Sequence, residues 1–143
     1  APAKVIGNAL KASQNSITCV APFIQKAAAF ALTDPAMQEV TLSMRAAYAK
    51  RRELVLQLAR EYESDKVIVT PSQGAFYFFL DMRPLKMTSV EICEKLLDDV
   101  GVALVPGSAF GEQGEGFARL CIAASDEDVE AGFRKIVEWA EKQ

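Results

Sequence analysis

Apolar residues recur at helical spacing over the first part of the chain and gather into short β-rich runs over the second. From Pro35 to about Glu63, Met37, Val40, Met44, Ala47, Tyr48, Val55, Leu58 and Tyr62 keep a helical period, with no Gly or Pro between them. Asp34 offers an N-cap acceptor and Pro35 sits well at a first helical position. A helix of ~29 residues would run ~43 Å, against a radius of gyration of ~14–15 Å for a compact domain of this length. It reads as a spine that connects to something else. Ahead of it, Val5, Ile6, Ala9 and Leu10 form a short stripe from Pro2 to Lys11, which the polar run Ser13-Gln14-Asn15-Ser16 is expected to break. Pro22 restarts an Ala-rich helical segment through Leu32.

After the spine, Lys66 to Pro71 is β-rich and closed by proline, and Ser72-Gln73-Gly74 is a turn. Ala75 to Leu80 is continuously apolar, which predicts a strand buried on both faces. Thr88 with Glu91 forms a capping box that opens a helix to about Val100, where Gly101 stops it. Val102 to Val105 and Phe117 to Ala123 read as strands. Ser125 with Asp128 opens a last helix carrying Val129, Phe133, Ile136, Val137 and Trp139. The order is helix, helix, long helix, two strands, helix, two strands, helix. The predicted class is α+β: a small sheet of about four strands with helices packed on it, plus the spine near residues 35–63.

Composition narrows the chemistry. With 143 residues, 50% hydrophobic and 24% charged, the chain has the size and balance of one globular domain. A net charge of -3 provides no basic footprint for nucleic acid. There is no histidine, which removes Ser-His and Cys-His nucleophile pairs and histidine metal ligation. Cys19, Cys93 and Cys121 are scattered, with no CxxC pair, so no metal site is expected and reduced thiols in the cytoplasm fit better. No apolar run is long enough for a membrane helix, because Lys26 interrupts the one from Cys19 to Leu32.

Three features could carry chemistry. Arg119 is the one charge in the strand Phe117-Ala118-Arg119-Leu120-Cys121-Ile122-Ala123. It fits an edge-strand arginine, one paired with a structural carboxylate, or an anion receptor, since guanidinium is a planar fork that grips a carboxylate through two hydrogen bonds. The run Val105-Pro106-Gly107-Ser108-Ala109-Phe110-Gly111 is glycine-rich but matches neither nucleotide-binding spacing, and reads as a turn. The lysines fall at polar helix positions or element ends, as Lys50, Lys95 and Lys135 do, which suits solvated surface rather than imine chemistry.

Taken in order, Pro71-Ser72-Gln73-Gly74-Ala75-Phe76-Tyr77, Gly101 to Gly111 and Ala118-Arg119-Leu120-Cys121-Ile122-Ala123 resemble the small domain of the class I and II aminotransferases, which have the fold-type I pyridoxal-phosphate architecture. The likeness spans essentially the whole chain. It implies that Arg119 binds the substrate α-carboxylate and that the loop at Gly107 to Gly111 helps position it. Phe76 looks like an aromatic lining the substrate side of the pocket, with core packing as the alternative. The segment Thr18 to Gln25 resembles one lying across a dimer interface, where a hydroxyl at the place of Thr18 reaches the cofactor phosphate of the other subunit. Thr18 fits a helix-capping role equally well, because the usual Ser-Asn-Pro wording is absent.

The resemblance further implies that residues 1–32 lead from a cofactor domain and residues 33–143 form the small domain. In the family the Schiff-base lysine lies in the larger domain, and the start Ala1-Pro2-Ala3-Lys4 is expected to fall downstream of it. The intact parent would be a homodimer using pyridoxal 5'-phosphate on an amino acid and a 2-oxo acid. This chain alone would be inactive and free of cofactor, with no catalytic residue of its own. A lyase or synthase on the same fold, and a free-standing α+β ligand-binding or interaction module, are the competing readings.

Overall fold

The computed structural model describes residues 1–143. Nine principal elements run in chain order: α1 (Ala3–Ser16), α2 (Pro22–Thr33), α3 (Pro35–Tyr62), β1 (Ile68–Val69), β2 (Tyr77–Asp81), α4 (Ser89–Val100), β3 (Val105–Pro106), β4 (Phe117–Cys121) and α5 (Asp126–Ala140). The class is α+β, and the order of helices and strands is the one the hydrophobic pattern predicts. Two compact units are present, Ala1–Met44 and Arg45–Gln143, with the boundary inside α3.

In the first unit, α1 and α2 bury no residue, and Val5, Ile6, Leu10, Phe23, Phe30 and Leu32 are all exposed. The polar run at residues 13–16 does not break α1. Asn15 Nδ2 donates to the Lys11 carbonyl and Ser16 Oγ to the Ala12 carbonyl, each at 2.8 Å. Bonding back one turn lets these side chains stay helical. The helix ends at Ser16, and beyond the cap residue Ile17 the backbone turns left-handed at Thr18, φ 64°, whose N–H bonds the Ser13 carbonyl at 2.9 Å. Such a φ is costly for a β-branched residue. Helix capping at Thr18 is thus done by the backbone, not the hydroxyl.

Helix α3 runs 28 residues without a break, or about 42 Å at the α-helical rise. Asp34 Oδ1 accepts from the Ala36 N–H at 2.9 Å, the cap its position predicts. Within the second unit, Val55 and Leu58 of α3 join Ile92 and Leu96 of α4 and Phe133, Ile136 and Val137 of α5 in one core. The sheet is antiparallel throughout, in the order β1-β2-β4-β3.

Register decides the two faces of this sheet. Phe78 pairs with Leu120 and Leu80 with Ala118, and all four are buried against the helices. Tyr77, Phe79, Asp81, Phe117 and Arg119 alternate onto the other face and are only partly covered. Burial of the aromatic strand on both faces does not hold. Helices cover one face alone, and the second face carries aromatic rings without a layer above them. Thr88 and Glu91 form the full reciprocal capping box, and Gly101 ends α4 left-handed at φ 69°.

Candidate functional site

Arg119 lies at the centre of the uncovered face. Its strand neighbours are Phe79 on β2 and Val105 on β3. The guanidinium carbon stands 4.3 Å from the centroid of the Tyr77 ring and 4.9 Å from that of Phe110. Two aromatic faces therefore flank one cation, each contact contributing ~0.5–2 kcal/mol.

The electrostatics of this cation are unbalanced. Arg119 takes part in none of the ion pairs, and its Nε is buried without a hydrogen-bond partner. An orphaned buried donor costs ~1–3 kcal/mol, more when charged. The one carboxylate on this face, Asp81, is already held by Arg83 through bonds of 2.9 and 2.6 Å. That pairing keeps the Asp81 carboxyl below the ordinary carboxylate range. Arg83 in turn stacks on Phe117, 4.8 Å from its centroid. Within this chain no acid reaches Arg119.

Arg119 opens into a cavity of about 620 Å³ whose walls include Thr70, Pro71, Ala75, Tyr77, Phe79 and Phe110. It is the sole charged group there, amid mostly apolar surface. Two loops shape the rim. Residues 70–75 are pinned where Arg52 Nε donates to the Ser72 carbonyl at 2.6 Å, and Ala75 is held left-handed at φ 61°. Residues 107–114 form two short 3-10 turns that carry Phe110 to the cavity mouth.

Phe76 is not part of the cavity wall. Its ring stacks on Tyr48 at 5.5 Å and tilts against Tyr77 at 4.5 Å, so it supports the wall from behind. Thr18 belongs to the first unit, on an exposed loop, with its hydroxyl in no hydrogen bond. The rings that do touch Arg119, Tyr77 and Phe110, were not singled out in the sequence. Tyr77 offered a signal: it is the odd residue in a phenylalanine run, at the start of the strand that pairs with Arg119.

A small α+β sheet with an unpaired, ring-flanked guanidinium facing an apolar cavity can bind an anion, and its forked geometry favours a planar carboxylate. Comparison with known proteins gives the family: residues 1–136 match aminotransferase class I and II, and the chain belongs to that family. It is 40% identical to an aspartate aminotransferase of Pyrococcus abyssi over 95% of this chain and 34% of that protein. It is 38% identical to a probable N-acetyl-LL-diaminopimelate aminotransferase of Bacillus subtilis, over 95% of this chain and 33% of that one. The solved aromatic aminotransferase from Pyrococcus horikoshii superposes with a TM-score of 0.85 at 34% identity, covering 99% of this chain and 37% of its own. The chain spans about a third of the length of the curated relatives it matches. No helix is long and apolar enough to cross a membrane.

Proposed function

We propose that this chain is the carboxylate-binding part of a pyridoxal-phosphate-dependent aminotransferase that moves an amino group between an amino acid and a 2-oxo acid. The single observation that carries the reading is the buried, unpartnered Nε of Arg119 between two rings at the cavity. A substrate carboxylate that pairs with the accessible part of this half-buried guanidinium neutralises its charge in one contact. The rings limit the guanidinium to one plane, so little freedom is lost when the bidentate pair forms.

Pyridoxal phosphate, when bound, supplies the electron sink for this chemistry. The residues present here do not form its imine site. None of the nine lysines lines the cavity, Lys50 is engaged by Asp126, and Lys135 donates to the Val100 carbonyl. On this reading residues 33–143 serve as the small domain, preceded by the helical segment 1–32, and the imine lysine is contributed from outside the chain. That division agrees with a chain a third as long as its relatives. Phe76 sets the cavity wall through Tyr77, and the free hydroxyl of Thr18 is the candidate contact to the cofactor phosphate of a second subunit in a homodimer. Three free cysteines support a cytoplasmic setting.

The test is made in the enzyme that contains this chain. Arg119→Ala should lower kcat/KM for α-amino acids by about 30- to 5,000-fold, the equivalent of ~2–5 kcal/mol. Arg119→Lys should recover little, because a point charge replaces a fork. Amines without a carboxylate should be far less affected. Equal losses on both substrate types would reduce Arg119 to a support for the fold.

A further inference from the structure

The geometry points to Ser89 and Phe110 as positioning residues for Arg119: Ser89 anchors the 107–116 loop, and the loop holds the Phe110 ring as the second jaw on the guanidinium. The consequence for substrate rests on reading Arg119 as the carboxylate receptor, whereas the mechanical coupling does not.

Phe110 needs an explanation of its own. It is 53% exposed, so burial does not hold it in place. Its ring lies edge-on to Phe79 at 6.0 Å and 4.9 Å from the Arg119 guanidinium. What fixes it is the loop beneath. Gly107 and Gly114 approach so closely that a β-carbon on either would lie 2.1 Å from the other's carbonyl oxygen. Glycine at both places lets the two 3-10 turns lock back to back.

The lock is tied to α4 by Ser89. This residue is fully buried, and its hydroxyl donates to the Gly114 carbonyl at 3.2 Å while accepting from the Gly116 N–H at 2.7 Å. Helix capping does not occupy it, since Thr88 performs that task. Glu115 adds a second tie, its carboxylate accepting the Ser89 backbone N–H at 2.7 Å. The path from Ser89 through Gly114 and Gly107 to Phe110 is short and made of backbone, which transmits position with little slack. If the tie is cut, Phe110 swings toward water and the buried Nε gains a hydration shell. A carboxylate must then displace that water and finds a guanidinium steadied by Tyr77 alone.

The experiment follows the Arg119 Nε–H in the full chain labelled with ¹⁵N-arginine, without ligand. In the wild type its exchange with water should be slow beside that of Arg60, whose side chain is 66% exposed. Phe110→Leu should speed it about tenfold, and Ser89→Ala at least severalfold, with the Phe78 and Leu120 amides still protected. Phe110→Tyr, which keeps the ring, should restore the slow rate. Because Phe110 is half exposed, its variants carry the test even where Ser89→Ala fails to fold. Wild-type exchange rates in Phe110→Leu would overturn the proposal, as would a fast Nε–H already present in the wild type. Titration with 3-phenylpropionate adds the second arm: affinity should fall about three- to tenfold in Phe110→Leu. Altered exchange with no carboxylate binding in any variant would sink the receptor reading and leave the positioning role standing.

Discussion

Gly107→Ala is the sharpest perturbation of the loop that carries Phe110. The added β-carbon would lie 2.1 Å from the Gly114 oxygen, 2.7 Å from the Phe117 oxygen and 2.8 Å from the Phe117 β-carbon. Two of these neighbours are backbone, and neither can rotate away. Overpacking usually costs ~1–3 kcal/mol, and backbone contacts this short place the change at the upper end, ~3 kcal/mol. In a unit of this size each kcal/mol lowers Tm by ~4–8 °C, so a loss of ~12–24 °C is expected. Gly132→Ala is the matched control. No atom lies within 4 Å of its β-position, and it sits inside α5. Alanine there should add ~0.5–1 kcal/mol and raise Tm by ~2–8 °C. Thermal melts followed by fluorescence of Trp139, which is 3% exposed in the core, report on this unit directly. A Gly107→Ala melt within a few degrees of wild type, or both variants moving the same way, would refute the reasoning.

Two further outcomes are expected. Asp126 at the start of α5 is held below the ordinary carboxylate range by Lys50 first and Arg51 second, so its contribution is present at neutral pH and lost as pH falls through that lowered pKa. The drop in melting temperature caused by Asp126→Asn should therefore be seen at pH 7 and shrink in acid; a penalty unchanged down to the lowest pH would contradict the pairing. Since α1 and α2 bury nothing, hydrogen exchange should find residues 3–33 nearly unprotected beside β2 and β4, and sedimentation should show concentration-dependent self-association. A monodisperse monomer with residues 3–33 protected would contradict it.

What the sequence made legible was local. The uninterrupted period from Pro35 fixed α3 to within a residue of its end, and Thr88 with Glu91 marked the start of α4. Arg119 stood out because a lone charge in an apolar strand is rare. The misreadings have physical causes. Ser13 to Ser16 looked like a break, yet side chains returning to carbonyls one turn back keep the helix intact. Ala75 to Leu80 looked doubly buried, because the aromatic rings of the second face are as apolar as those of the core. Only strand register separates Tyr77 and Phe79 from Phe78 and Leu80. Phe110 was invisible for a similar reason: its place over Arg119 depends on Gly107 meeting Gly114 and on Ser89 gripping both Gly114 and Gly116.

The central claim is that Arg119 is a carboxylate receptor left unpaired by the protein. The direct measurement is a titration of the ¹⁵N-arginine-labelled chain with 3-phenylpropionate and, separately, with its neutral amide, which has the same shape. The account predicts a saturable downfield shift of the Arg119 Nε–H with the carboxylate, little response to the amide, and loss of binding in Arg119→Ala. Equal responses to acid and amide, or carboxylate binding that survives Arg119→Ala, would contradict it.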